Sequence, residues 1–199
     1  LGEIMYKRIF IVLMLVLPLE LFADENLVKS RIFIEDLGKQ VLTKVASPSI
    51  SNDQRKNNFK MIYENAFDNA YISRFVLGRH WKKIDEQTKR DFIKSFNDYL
   101  IMVYAPKFKG WKGEFKTLNS ELKNNMYIVA MNLVTKDSSS LKLDWRLYVN
   151  KNKNFKILDV NIDGVSMLVT QRAEFASVIK NSPQGVKGLI EKMKEKLNL

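Results

Sequence analysis

The sequence contains no cysteine, and this absence excludes several classes of protein together. Disulfide-stabilised scaffolds, thiolate metal centres and cysteine nucleophiles all require a residue that the chain does not have. The chain has 199 residues, of which 46% are hydrophobic, so a fold without disulfides must be stabilised by its apolar core. We therefore expect one domain with a substantial interior.

The residues that usually carry catalysis are also scarce. His80 is the single histidine, so any histidine-dependent catalysis must use it, and a structural role is the simpler interpretation. Ser166 lies in Gly-Val-Ser-Met-Leu, which lacks the second glycine of a nucleophile elbow. Asp159 and Asp163 are about 13 Å apart along one strand face, too far for a pair of glycosidase carboxylates. We predict no catalytic residue, no metal site and no enzyme activity.

The formal net charge is +11, which suits nucleic acid, an anionic membrane, an acidic partner or simply a solvated surface. Basic and aromatic residues alternate in one segment, as they do in single-strand binding proteins. That segment comprises Lys107, Phe108, Lys109, Trp111, Lys112, Phe115 and Lys116. The N-terminal segment also has the features of an export signal, and an exported protein meets lipid headgroups far more often than nucleic acid. We therefore predict no nucleic-acid partner.

The N-terminal segment has the three parts of a secretory signal. Lys7 and Arg8 are basic, the run from Ile9 to Leu17 is apolar, and Ala23 is a small residue at a cleavage position. The apolar run is shorter than the roughly 20 residues that a membrane span needs. We predict that residues 1–23 form the signal peptide, with 1–4 upstream of the true start at Met5. Residues 24–199 would then form one soluble domain in a bacterial periplasm.

The spacing of apolar residues predicts helices followed by strands. The helices are expected at 25–45, at 52–67, from Phe67 to Leu77, from a cap at Asp85 to a point before Pro106, from Ser166 onward, and from Pro183 onward. Strands are expected at 111–118, 126–134, 141–149 and 155–162. Short connections between the strands predict an antiparallel meander. The fold class is α+β, with several helices packed on a strongly twisted antiparallel sheet of about four strands.

The stretch from Phe155 to Phe175 connects the last strand to a helix. Leu158, Val160 and Ile162 alternate with polar residues and are predicted to share one face. Asp163-Gly164 then breaks the pattern, because glycine accepts the positive φ that a sharp turn needs. Ser166 is predicted to cap the following helix.

An apolar set from helices and strands is expected to converge between the two layers. It comprises Phe75, Val76, Phe96, Tyr99, Val103, Ile128, Ala130, Leu147, Val149, Val160, Ile162 and the corner residues Val165, Met167 and Leu168. Such a set fills a solid core or lines a cavity, and residue spacing alone does not distinguish these two outcomes.

Several motifs occur in a recognisable order. Phe67-Asp68 precedes Val76-Leu77-Gly78-Arg79-His80-Trp81, which fits a VLG-x-x-W/Y signature. The later motifs are Leu143-Asp144-Trp145-Arg146-Leu147, the segment from Phe155 to Met167, and Gln171-Arg172-Ala173-Glu174-Phe175. Together they resemble the MlaC/toluene-tolerance family of periplasmic phospholipid-binding proteins.

The resemblance implies a carrier that holds a phospholipid by its acyl chains, with the apolar set lining an apolar cavity between helices and sheet. It implies shuttling between an outer-membrane lipoprotein–porin complex and an inner-membrane ABC transporter with an MCE-domain protein. That transport would maintain the lipid asymmetry of the outer membrane, with phospholipid as cargo and no cofactor, and we expect a monomer. Two alternatives remain: a carrier of another lipid such as a hopanoid, and an enzyme on a helix-plus-curved-sheet scaffold that would depend on His80.

Overall fold

A computed structural model describes residues 25–134 and 140–197, and the predicted signal peptide lies outside this part. Its helices are α1 Glu25–Gln40, α2 Asn52–Ala66, α3 Asn69–Leu77, α4 Glu86–Tyr104, α5 Met167–Lys180 and α6 Val186–Leu197. Its strands are β1 Glu114–Lys123, β2 Met126–Val134, β3 Ser140–Val149, β4 Phe155–Ile162 and β5 Val165–Ser166. Within these two ranges, no helix is long and apolar enough to cross a membrane.

The strands form one antiparallel sheet in the order β1-β2-β3-β4-β5, which confirms the α+β class and the predicted meander. About four strands were expected, and the additional one is the two-residue β5. Val165 pairs with Ile162 in it, and the two loop residues Asp163 and Gly164 have φ values of 48° and 84°. Two positive φ values describe a tight hairpin turn, for which Asp-Gly is a preferred sequence. The chain therefore folds back on β4 before α5 begins.

A β-bulge in β4 corrects one sequence prediction. The register pairs Leu147 with Ile157 and resumes at Asp159, so Leu158 is an extra residue. The extra residue reverses the alternation, and Ile157 takes the inward position that Leu158 was expected to share with Val160. The prediction was wrong for Leu158 because strict alternation contains no sign of a bulge.

Side-chain caps determine where two helices begin. Ser51 Oγ accepts a hydrogen bond from Gln54 N at 3.1 Å, and Gln54 Oε1 accepts one from Ser51 N at 3.0 Å, which together form a capping box for α2. The carboxylate of Asp85 accepts from Thr88 N at 2.8 Å at the start of α4, as predicted. The first helix also differs slightly from the prediction, because α1 ends at Gln40 and continues as a single π-helical turn, Val41–Val45.

Three further elements differ at their boundaries from the sequence predictions. Phe67 has an extended backbone between α2 and α3, and Asp68 caps α3, so Phe67 belongs to neither helix. The last helix begins at Val186, three residues after Pro183, because Gly185 takes a φ of 57° in the intervening turn. The first strand is longer and later than 111–118, and it contains its own bulge near Leu118.

The core consists of two apolar clusters. The helical cluster is contributed by α3, α4, α5 and α6, and its buried members are Ile72, Val76, Leu77, Phe92, Phe96, Leu168, Phe175, Ile179, Val186, Leu189, Ile190 and Met193. The sheet cluster lies between the inner sheet face and the first two helices, and its buried members are Ile34, Leu37, Val41, Val45, Ile62, Ala66, Val129, Met131, Leu143, Leu147 and Ile157. The two layers expected from the sequence therefore have separate interiors.

Candidate functional site

The structure divides the predicted cavity residues between the two clusters. Those in or packed against the helical cluster are Phe75, Val76, Phe96, Tyr99 and Leu168. Those in or packed against the sheet cluster are Leu147, Val160 and Ile162. The remaining six, which belong to neither cluster, are Val103, Ile128, Ala130, Val149, Val165 and Met167. The predicted set is therefore not one continuous surface.

Two members of the set lie on the opposite face of the sheet. Ile128 pairs with Arg146 and Ala130 pairs with Asp144, whereas the inward residues of the same strand include Val129 and Met131. The prediction that Ile128 and Ala130 point away from Val129 is confirmed. As a consequence, these two side chains point away from the sheet cluster.

Phe67 connects the two clusters. Within the described part of the chain, it is the one partly buried residue that packs against both. Its extended backbone forms a parallel bridge with Ile157, and Asp68 N donates to Ile157 O at 3.0 Å. The link between α2 and α3 is thus attached to the edge of β4. Sequence analysis placed Phe67 in a helix and so missed this junction, although Asp68 is a recognisable N-cap residue.

A buried tyrosine stands next to this junction. The Tyr63 ring centroid lies 4.9 Å from that of Phe67, and the Tyr63 hydroxyl lies 3.5 Å from Asn97 Oδ1 in α4. Burial, together with the nearby charge of Glu64, raises the pKa of Tyr63. Tyr63 is therefore uncharged at any physiological pH. Its ring and that of Phe67 form an aromatic surface at the junction, and the Tyr63 hydroxyl is the polar atom there, with one long hydrogen bond.

The sheet cluster is incompletely covered near the end of β4. Trp145 pairs with Val160 on the inner face, and both are half-buried, whereas the flanking Leu143 and Leu147 of β3 are 6% and 0% exposed. Ile162 is half-buried too, and its hairpin partner Val165 is 54% exposed. We call Trp145, Val160, Ile162 and Val165 the β4 strip. It is an apolar surface that runs from the interior to the protein surface.

A network of hydrogen bonds fixes the corner beside this strip. Asp159 is 8% exposed, and its Oδ1 accepts from Leu168 N at 3.1 Å and from Val160 N at 2.8 Å. Its Oδ2 accepts from Ser166 Oγ at 2.6 Å. Ser166 Oγ in turn accepts from Val169 N at 3.0 Å, which confirms its role as the N-cap of α5. Both hydrogen bonds of the Ser166 hydroxyl therefore stabilise the corner between β4 and α5.

The charged neighbours that shift the pKa of the single histidine are both cations. His80 lies in a short 3-10 segment, Gly78–Lys83, where burial and the charges of Arg79 and Lys83 lower its pKa. The neutral imidazole is thus the favoured form. Among residues 25–134 and 140–197, no three histidine or carboxylate side chains lie together in a group that could hold a metal ion.

Comparison with known proteins supplies the context for this apolar site. The family model for the MlaC protein matches residues 35–195. Among solved structures, the fold is similar to a phospholipid-binding protein from Ralstonia solanacearum in complex with a phospholipid, with a TM-score of 0.73. The two are 18% identical, and the match covers 84% of this chain and 96% of that one. Comparison with curated proteins gives no match. Because the family model covers most of the sequence, the chain belongs to the MlaC family.

Proposed function

We propose that the protein is a periplasmic phospholipid carrier whose cargo rests its acyl chains on the β4 strip and at the Phe67 junction. The observation that carries the proposal is the match of the MlaC family model over residues 35–195. The similar structure from Ralstonia solanacearum, described as a phospholipid-binding protein in complex with a phospholipid, supports the same ligand class. The β4 strip, which is apolar and only partly covered, is the feature of this chain that suits such a ligand.

The hydrophobic effect explains why such a carrier is needed. Two acyl chains contain roughly 30 methylene groups, and exposing them to water costs about 24 kcal/mol at ~0.8 kcal/mol each. A single lipid therefore does not cross an aqueous space at a useful rate. Moving the chains from a bilayer to an apolar protein surface exchanges one apolar environment for another, so the net free-energy change stays small. Transfer can then proceed in either direction.

The proposed pathway joins two membranes. Cargo would be exchanged with an outer-membrane lipoprotein–porin complex and with an inner-membrane ABC transporter that carries an MCE-domain protein. Release in water is unfavourable for the reason given above, so a docked partner must present an apolar path to the lipid. The β4 strip is suited to that step because Val165 already lies at the surface. The headgroup needs no dedicated pocket, since it stays in water.

The first test is chemical analysis of the bound cargo. The exported protein is purified, its N-terminus is determined by mass spectrometry, and its organic extract is analysed for lipid. We expect diacyl phospholipid in stoichiometric amount. A different lipid, such as a hopanoid, would preserve the carrier class and change the cargo. A folded protein whose extract contains no lipid, and that takes none up from vesicles, would overturn the proposal.

A matched pair of substitutions tests the location of the site. Val160 lies in the β4 strip, whereas Leu118 is a 54% exposed apolar residue in the bulge of β1. Val160→Asp, shown by its thermal unfolding to be folded, places a charge where the acyl chains are proposed to lie and should lack most of the bound lipid. Leu118→Asp makes the same kind of change on the same sheet and should leave the lipid in place. Equal lipid content in both variants would rule out the strip as the site.

The carrier proposal assigns no reaction to the protein. His80→Ala is therefore expected to change neither the lipid content nor the fold. A loss of lipid turnover in that variant, with normal binding, would favour the enzymatic alternative.

A further inference from the structure

An open groove lies between α1, the end of α2 and the turn that joins β3 to β4. Its volume is about 540 Å³, within the usual range of ligand sites. The residues that line it are Lys29, Ile32, Phe33, Asn65, Lys153, Asn154, Phe155 and Lys156. None of them belongs to the β4 strip.

The charged residues that line this groove are all positive. Three of its lining residues are lysines and none is acidic. Lys29 Nζ lies 2.8 Å from a carboxylate oxygen of Glu25, but both side chains are more than half exposed, and such surface pairs contribute little. Lys156 Nζ donates to Asn65 O at 2.6 Å, so this cation is held against the C-terminal end of α2. The third, Lys153, is exposed at the turn.

An apolar surface lies between these cations. The rings of Phe33 and Phe155 form the floor, with centroids 5.8 Å apart. Ile32 on the rim of the groove is 49% exposed, and Val28, one helical turn earlier on the same face of α1, is 45% exposed. Two neighbouring exposed aliphatic side chains therefore lie beside the lysines of the groove, a combination that suits the interface of an anionic bilayer.

We propose that this groove and the adjoining face of α1 dock the protein on the surface of an anionic bilayer. Protein–protein interfaces favour tryptophan, tyrosine and arginine and are depleted in lysine, whereas every cation that lines the groove is lysine and the exposed apolar residues beside it, Val28 and Ile32, are aliphatic. Lysines near an anionic lipid surface each contribute to attraction, and the net charge of +11 adds a long-range component. This docking does not depend on the cargo proposed above.

Vesicle flotation measures the docking directly. The exported protein is mixed with phosphatidylcholine vesicles that contain or lack phosphatidylglycerol, and the fraction that floats with the vesicles is measured. We expect flotation with the anionic vesicles and its loss at high salt, because exposed charges are then screened. A lipid taken up as cargo does not contribute, since the loaded protein stays in the aqueous layer.

Paired variants locate the docking surface. Lys29→Gln with Lys153→Gln removes two cations from the groove and should weaken vesicle binding about 25-fold, at about fivefold per lysine. Lys187→Gln with Lys192→Gln removes the same charge from exposed positions on α6 and should weaken binding by about threefold or less, an effect of net charge alone. Ile32→Ser should weaken binding about tenfold through the loss of apolar contact.

Several results would overturn the assignment. Equal weakening by the two lysine pairs would show that net charge, not the groove, attracts the vesicles. If the wild type binds neither type of vesicle, and the groove variants lose binding to an acidic partner protein, the groove is a docking surface for that partner and not for a bilayer. The lipid content of each variant is measured in the same samples. Groove variants that dock poorly yet retain cargo support the docking surface, and a wild type that docks but holds no lipid would contradict the carrier proposal alone.

Discussion

The carboxylate of Asp159 in β4 accepts a hydrogen bond from the hydroxyl of Ser166, the first residue before α5, at 2.6 Å. The same carboxylate also accepts from the backbone N–H of Leu168, inside the first turn of that helix, at 3.1 Å. A negative charge at a helix N-terminus is favourable, and this one is largely buried. The end of the sheet and the start of α5 are therefore held as one rigid corner beside the β4 strip.

This network predicts a difference between two alanine substitutions. Asp159→Ala leaves the buried N–H of Leu168 without a partner and should lower the free energy of unfolding by about 3 kcal/mol. Ser166→Ala removes the N-cap and one of the donors to the Asp159 carboxylate, which still accepts from Leu168 N and Val160 N, and should lower it by about 1 kcal/mol. Urea unfolding of both variants and of the double mutant measures the coupling. Strict additivity of the two losses would mean that the two side chains stabilise the corner independently.

A second prediction concerns a buried cation. Arg55 is 1% exposed, and its guanidinium donates to Val45 O, to Ser47 O at 2.9 Å and to Ile50 O at 3.4 Å. These carbonyls follow α1, where a positive charge compensates the negative end of the helix. Arg55→Met fills the same space without donors and should lower the free energy of unfolding by about 3 kcal/mol.

The control for Arg55 is an exposed donor to the same stretch of backbone. Asn58 Nδ2 donates to Lys44 O at 2.7 Å at the surface, where water can replace it. Asn58→Ala should therefore cost no more than about 1 kcal/mol. If thermal and urea unfolding give the same loss for both variants, burial of the arginine contributes nothing beyond one ordinary hydrogen bond.

A third prediction concerns alkaline pH. The Tyr148 hydroxyl donates to the Asp68 carboxylate, and this hydrogen bond, together with partial burial, raises the pKa of Tyr148 from 10.0 to about 12. The folded state therefore retains this proton after the unfolded state has lost it. The stabilisation is fully present below pH 10 and is lost as the pH rises through about 12.

The measurement for this prediction is a difference between two proteins. Burial also raises the pKa of Tyr63 and Tyr104, so the total loss of stability at high pH has several sources. Unfolding is followed for the wild type and Tyr148→Phe at a series of pH values. The gap in free energy of unfolding should be constant up to pH 10 and should close toward pH 12. A gap that stays constant through that range would exclude Tyr148 as the titrating group.

Regular elements were predictable because each position repeats the same local geometry. The alternation of β2, with Val129 and Met131 facing inward and Ile128 facing outward, follows from a strand without bulges. The caps at Asp85 and Ser166 were predictable because their side chains bond to backbone in the next helical turn. The bulge at Leu158 was not predictable from the sequence, because a bulge reverses the alternation of inward and outward residues without changing the composition of the strand.

The arrangement of the candidate site was less predictable for a different reason. Tyr63, Phe67 and Tyr71 follow helical spacing without interruption, so the pattern conceals the break at which Phe67 becomes extended and contacts both clusters. Apolar spacing shows which face of an element is buried, but not against which neighbour. The division of Leu147 and Leu168 between two clusters therefore required the three-dimensional structure.

The last prediction separates two corner residues that sequence analysis treated alike. Val165 is 54% exposed, so Val165→Asp should leave the free energy of unfolding nearly unchanged and should reduce the bound lipid. Leu168 is 8% exposed within the helical cluster, so Leu168→Asp buries an unpaired charge and should unfold the protein. Thermal unfolding and the lipid-to-protein ratio of each purified variant give both results. A folded Val165→Asp protein with its full lipid content would place the acyl chains away from the corner, because a carboxylate beside Ile162 would otherwise have to be desolvated against them.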